Sequence, residues 1–215
     1  MTPQLMGSLS LRAVSFDLDG TLYDYDRHRV HLLPSLLRHP RVLLAYKDAV
    51  TALRGQRSPN LRAELDRRVG AAVGLPPEIA RQALDRTVYG AWVSSFSPGI
   101  LRPGVKALLD ALDRAGVPRV VVSDHPAERK LQGLGLGGWA AVVDAEAVGA
   151  FKPLPDALEA AAAKLALPSS AIVHIGDRED TDGGMAQAAG ATSLILGRDF
   201  TRFDQLNALL LGAKA

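Results

Sequence analysis

The sequence predicts a doubly wound α/β fold: a parallel sheet with helices on both faces, interrupted once by a small all-helical unit. Three observations carry this. Five short runs rich in Val, Ile and Ala are continuously apolar rather than alternating, as strands buried on both faces are. Helical periodicity lies between them, which is the strand–helix alternation of an open sheet. One long stretch, residues 23–97, has leucine- and arginine-rich helical patterns and no convincing strand.

The elements follow in order. Ala13 to Phe16 is the first strand and runs straight into DLDGT. Helices are expected over Val42 to Leu53, Leu61 to Val73 and Pro77 to Trp92, separated by the turn-forming RGQRSPN and GLPPE. The Pro- and Gly-rich SFSPGILRPG then returns the chain. Val105, Leu108, Leu109 and Leu112 mark one face of a helix begun by Pro103 and ended near Gly116. Arg119 to Val122 and Ala140 to Val143 are the next strands. The helix over Leu154 to Leu167 carries the stripe Leu158, Ala161, Ala162 and Leu165. Ala171 to Ile175, a helix over Asp180 to Ala189 closed by Gly190, and the strand Thr192 to Leu196 complete the pattern. The expected division is a core of residues 1–22 and 98–215 with residues 23–97 inserted after the first strand.

Composition narrows the function. The 215 residues are 47% hydrophobic and 22% charged, enough for one domain with a real core plus an insertion. Cysteine is absent, which excludes disulfides and thiolate metal sites and fits a reducing cytosol. MTPQLMGSLSLR lacks the basic and apolar regions of a signal peptide, and no apolar run nears the roughly 20 residues of a membrane span. A cytoplasmic protein that meets no membrane is expected. The net charge of +2 gives no reason to expect nucleic acid as a partner. Its distribution is uneven, with 12 Lys/Arg against 7 Asp/Glu between Leu22 and Ile100 and an acidic remainder. Either an anion binds between the two parts or the arginines form a solvated helical surface.

In open α/β sheets ligands sit at the carboxyl ends of the strands. The polar fragments fall there: DLDGT with Asp17, Asp19 and Thr21; VVVSD with Ser123; FKPLP with Lys152; and HIGDREDTD with Asp177 and Asp182. Two aspartates separated only by Leu18 repel one another when buried, so either the pair sits in a solvated loop at the strand end or a cation joins it.

Those four fragments, in that order, resemble the haloacid dehalogenase superfamily of phosphohydrolases. The resemblance implies a Rossmann-like core with a helical cap between the first and second motifs. It implies a magnesium-dependent phosphomonoester hydrolase acting on a small phosphorylated metabolite. Asp17 would be the nucleophile that forms an aspartyl-phosphate, and Asp19 the general acid and then base. Thr21, Ser123 and Lys152 would bind the phosphoryl group. Asp17, the backbone carbonyl of Asp19 and Asp177 would hold Mg2+, an ion suited to hard oxygen ligands, with Asp182 beside them.

Simpler readings compete at several positions. DLDGT alone is also a turn sequence, Ser123 could cap a helix beginning at Pro126, and Glu179 and Asp180 suit a helix N-terminus. Arg178 reads as a salt-bridge partner, His174 as a satisfied core residue, and His28 with His31 as a polar surface pair. His125 is placed to border the pocket, and Tyr25, Arg27 or Arg29 to select an anionic tail. A sugar-phosphate mutase remains an alternative, as does a phosphonate-cleaving enzyme using Lys47, the one lysine in residues 23–97. A receiver-like or non-catalytic phosphate-binding module is the alternative from another class. Oligomeric state is not legible.

Overall fold

The computed structural model describes residues 12–28 and 39–212. At its centre lies a five-stranded sheet in the order β3-β2-β1-β4-β5. The strands are β1 Ala13–Phe16, β2 Arg119–Ser123, β3 Ala141–Asp144, β4 Ile172–Gly176 and β5 Thr192–Ile195. Every pairing is parallel, as the unbroken apolar runs require. All residues of β1, β2 and β4 are buried, whereas the edge strands β3 and β5 keep most of theirs half-buried.

Between β1 and β2 lie α1 Pro40–Leu53, α2 Leu61–Val73 and α3 Pro77–Arg86. Proline opens α1 and α3, where its missing N–H costs nothing. The Asn60 side chain accepts from the Ala63 N–H at 3.0 Å to start α2, and Gly74 ends it in the left-handed conformation. The single helix expected over Pro77 to Trp92 is instead α3 followed by a wider π turn, Thr87–Trp92. Tyr46, Leu53, Leu61, Leu65, Ala80 and Leu84 form the shared core of these helices. The chain leaves and re-enters the sheet layer at one place. Tyr23 and Leu101 make an isolated antiparallel bridge, and the Arg102 N–H donates to the Leu22 carbonyl at 3.0 Å.

The remaining helices are α4 Val105–Arg114, α5 Glu128–Leu134, α6 Ala145–Val148, α7 Asp156–Lys164, α8 Gly184–Ala188 and α9 Gln205–Leu211. The helix expected over Asp180 to Ala189 begins as a π turn, Glu179–Gly183, before α8. The sheet's period of two sorts the core into two layers. Val14, Phe16, Val121, Val173 and Ile175 face Leu108 and Leu112 of α4, Leu131 of α5 and Leu206 of α9. Ala13, Val120, Val122 and Ile172 face Leu158 and Ala161 of α7 and Met185 of α8. Among the described residues no helix is long and apolar enough to cross a membrane.

Candidate active site

A parallel sheet puts all strand carboxyl ends on one edge, and the polar fragments meet there. The Asp17 N–H donates to the Ile175 carbonyl at 2.8 Å, which seats the first fragment beside the fourth. Gly20 turns the chain back with φ +94°, a conformation natural to glycine. A Cβ there would lie 2.5 Å from an Asp177 carboxylate oxygen, so the turn and the carboxylate fit only without a side chain. Arg102 donates to the Gly20 carbonyl through Nε at 3.1 Å and Nη2 at 2.9 Å, bracing the same turn.

Lys152 is the hub. It is 2% exposed, and its Nζ lies 2.6 Å from Asp17 Oδ1 and 2.8 Å from Asp182 Oδ1. Its own N–H donates to Asp124 Oδ1 at 3.0 Å, so the loop after β2 fixes the lysine's backbone. Thr21 Oγ1 donates to Asp17 Oδ2 at 2.9 Å and stands 3.3 Å from Asp177 Oδ1. Asp182 is held from three sides besides Lys152. The N–H groups of Asp177 and Arg178 donate to its Oδ2 at 3.3 and 3.1 Å, and His174 Nε2 lies 3.2 Å from Oδ1. His174 Nδ1 is 2.7 Å from Ser15 Oγ, so the histidine is a satisfied core residue as expected, and it also orients a carboxylate. Burial lowers its pKa and keeps the ring neutral at pH 7.

Asp17, Asp177 and Asp182 bring carboxylate oxygens within 4.8 Å of one another. Burial pushes the Asp17 carboxyl well above the usual range, and the charges of Asp182 and Asp177 add to the rise against the pull of Lys152. Burial likewise raises Asp177, again helped by Asp182. Asp182 goes the other way, because Lys152 and His174 overcome its burial. Burial opposes the charge on Lys152, yet Asp17 and Asp182 hold its pKa above the ordinary lysine value. The upward shifts at Asp17 and Asp177 come first from burial, and the neighbouring carboxylates add to them. A hard divalent cation suits that donor set.

Asp19 has separate partners. Tyr23 donates its phenol hydroxyl to Oδ1 at 2.8 Å, and Lys130 Nζ lies 2.6 Å from Oδ2. Burial works against ionisation of Asp19, but Lys130 and then His125 hold its pKa below the usual carboxylate value. The two aspartates of DLDGT thus each have their own buried ammonium. Lys130 escaped the sequence reading, although a signal was present. Ala127, Lys130, Leu131 and Leu134 fall at i, i+3, i+4 and i+7, so the lysine sits within the apolar stripe at the start of α5.

A cavity of about 140 Å³ opens over these groups. Asp17, Asp19, Lys152, Asp177 and Asp182 line it, together with Arg54, Trp92, Asp124, His125 and Arg178. Thr21 and Ser123 are fully buried beside it rather than on its wall. Ser123 Oγ accepts from the His125 N–H at 3.3 Å. It does not cap the next helix, whose Ala127 N–H is taken by Asp144 Oδ1 at 3.0 Å. His125 borders the cavity as expected, its Nδ1 2.9 Å from the Tyr46 hydroxyl and 3.8 Å from Glu146.

Several arginines of the inserted segment are held in ion pairs rather than left free. Arg62 holds Asp66 and Asp85 at 3.0 and 2.6 Å, and Arg67 and Arg68 hold Glu64 at 2.6 and 2.8 Å. Among the described residues of the segment, Arg54 is the arginine that reaches the cavity, where it pairs with Asp124 at 2.8 Å. Of the polar candidates at the exit from the core, Tyr25 lines the cavity, while Arg27 is exposed near Asp24. Arg29 and His31 lie outside the described residues. His28 is buried rather than on the surface, 2.7 Å from Ser95 Oγ and packed on Phe96, because the turn after Tyr23 folds it inward. Arg178 pairs with Asp180 at 2.6 Å, and Glu179 pairs with Arg198. Lys47 is exposed on α1 and absent from the cavity wall.

Comparison with known proteins agrees with this geometry. Phosphoglycolate phosphatase of Xylella fastidiosa is 29% identical over 199 residues, 86% of this chain and 79% of that protein. Phosphoglycolate phosphatase of Pectobacterium atrosepticum is 30% identical over 196 residues, 86% of this chain and 80% of that protein. Among solved structures, β-phosphoglucomutase from Clostridium difficile superposes with a TM-score of 0.68 at 17% identity, covering 91% of this chain and 93% of that one. 2-Haloacid dehalogenase from Pseudomonas syringae pv. Tomato superposes with a TM-score of 0.65 at 22% identity, covering 93% of this chain and 97% of that one. These two share the fold while their names differ in chemistry. Residues 11–190 match the haloacid dehalogenase-like hydrolase family, and the chain belongs to that family.

Proposed function

We propose that this hydrolase is a magnesium-dependent phosphomonoesterase acting on a small phosphorylated acid, with phosphoglycolate the first candidate. The observation that carries the reading is the convergence of Asp17, Asp19, Lys152, Asp177 and Asp182 on one small cavity. The relatives named phosphoglycolate phosphatase support the substrate class. So do the cavity's size of about 140 Å³ and the Arg54 guanidinium among its lining residues, which would meet a second anionic group by giving up its pairing with Asp124. Asp19 supports hydrolysis of a phosphate ester over dehalogenation, and the exposed position of Lys47 gives a Schiff-base mechanism no support.

In this reading residues 23–97 form a cap over a core of residues 1–22 and 98–215. Asp17 attacks phosphorus through a carboxylate oxygen as the ester P–O bond breaks. Asp19, ionised in the free protein, takes up a proton when the anionic phosphate binds beside it and gives that proton to the leaving oxygen. Water then adds to phosphorus, its proton passes to Asp19, and the Asp17–phosphorus bond breaks to release phosphate. Lys152 offsets charge on the phosphoryl oxygens and keeps Asp17 aimed. Ser123 and Thr21 support the phosphate-binding loops, and Thr21 also orients Asp17. Magnesium would be held by Asp17, Asp177 and the Asp19 carbonyl, with Asp182 behind them, and would supply charge stabilisation.

The test is phosphate release from a panel of phosphomonoesters with magnesium and with chelator. The highest kcat/KM is expected on two- and three-carbon phosphorylated acids, with loss in chelator. Faster turnover of hexose phosphates or nucleotides would overturn the substrate class, and no release from any ester would overturn the reaction.

A further inference from the structure

The mechanism above asks Asp19 to be in one place at two moments, giving a proton and later taking one. Nothing in DLDGT fixes that carboxylate, since Asp19 is the residue just before the Gly20 turn and only partly buried. The groups that do fix it come from elsewhere. Lys130 is 4% exposed on α5, its Nζ 2.6 Å from Asp19 Oδ2. The ammonium also lies 5.5 Å from the Trp92 ring and 5.7 Å from the Phe96 ring, two aromatic faces that confine it. Tyr23 is fully buried, its ring edge-on to Phe96 at 5.0 Å and His28 at 5.2 Å, and its hydroxyl donates to Asp19 Oδ1 at 2.8 Å.

Both carboxylate oxygens are therefore gripped, one by a charged donor and one by a neutral donor. Neither Lys130 nor Tyr23 lines the cavity that Asp19 lines. Lys130 borders instead a separate narrow cavity with Val88, Tyr89, Trp92, Val93, His125 and Pro126. A lysine buried among apolar groups is costly unless its partner needs it. We propose that Lys130 and Tyr23 are positioning residues for Asp19, holding its carboxylate against the leaving oxygen from behind the substrate cavity. The inference rests on the reading of Asp19 as acid and base.

The role has a kinetic signature that plain structural support lacks. An alkoxide leaving group needs the proton from Asp19, whereas p-nitrophenolate leaves without one. The experiment measures kcat/KM with magnesium for phosphoglycolate and for p-nitrophenyl phosphate in wild type, Tyr23→Phe, Lys130→Met and the double variant. Loosening Asp19 lowers kcat/KM for the alkyl ester about tenfold or more, within the range of general acid catalysis, and lowers it for the aryl ester far less. The aryl-to-alkyl ratio therefore rises at least about fivefold in each single variant. Equal losses on both esters, or no change in the ratio, would overturn the positioning role. Tyr23→Phe keeps the packed ring and carries the test if Lys130→Met fails to fold. A wild-type enzyme that hydrolyses neither ester would overturn the phosphatase reading itself, whereas activity with an unchanged ratio overturns only the role of Lys130 and Tyr23.

Discussion

Lys152 is the residue on which the candidate site balances. Its ammonium serves both Asp17 and Asp182 from a nearly dry position, so removing it leaves two buried carboxylates without their shared partner. Breaking a buried pair in this way costs about 3–5 kcal/mol. Lys152→Ala is expected to lose stability on that scale by urea denaturation and to lose phosphatase activity; a loss under about 1 kcal/mol would show that the site relaxes around the gap. Gly20→Ala is a gentler probe. The added methyl would displace Asp177, so the magnesium concentration for half-maximal activity should rise about tenfold or more, within the range seen when groups orienting metal ligands are lost. The four fragments made Asp17, Asp177, Asp182 and Lys152 legible because each ends a strand or follows one. Lys130 was not legible in that way, since its meaning comes from folding α5 against DLDGT across 111 residues of chain.

The elements show the same division between local and tertiary information. Strands β1 to β5 were readable because burial on both faces demands unbroken apolar runs. Helix α4 was readable from Val105, Leu108, Leu109 and Leu112, all buried against the sheet. Leu112→Ala removes part of that contact and should cost about 2–5 kcal/mol in chemical denaturation. The π turns at Thr87–Trp92 and Glu179–Gly183 were not readable, because their periodicity differs little from that of an α-helix over so few residues. Both border the cavity: Trp92 comes from the first, and Thr181 and Asp182 from the second. Apolar side chains of the inserted helices share a cluster with Ala145, Phe151 and Ala157 of the core, and ion pairs add to that contact. Arg57 pairs with Asp156 at 2.7 Å but is largely exposed, so Arg57→Ala should change stability by less than about 1 kcal/mol.

At the scale of the whole molecule, the fold buries carboxylates close together at the strand ends. Asp17 and Asp177 have raised pKa values, so their protonated forms are favoured by folding. Their contribution to stability is full at acidic pH, below the unfolded carboxylate value, and is lost as pH rises through the folded pKa values. Without a metal the protein therefore carries a penalty at neutral pH that a divalent cation bound by these carboxylates would relieve. Added magnesium should raise Tm more at pH 7.5 than at pH 5, where protons compete for the same carboxylates. An equal rise at both pH values would place the ion elsewhere.

The most direct measurement is phosphate release by wild type and Asp17→Asn, from phosphoglycolate and p-nitrophenyl phosphate, with magnesium and with chelator. If Asp17 is the nucleophile, wild type with magnesium turns over and the variant falls by more than about a thousandfold on both esters. Chelator abolishes the wild-type rate. Turnover by Asp17→Asn near the wild-type rate, or turnover undiminished by chelator, would contradict the assignment of this site as a magnesium-dependent phosphatase centre.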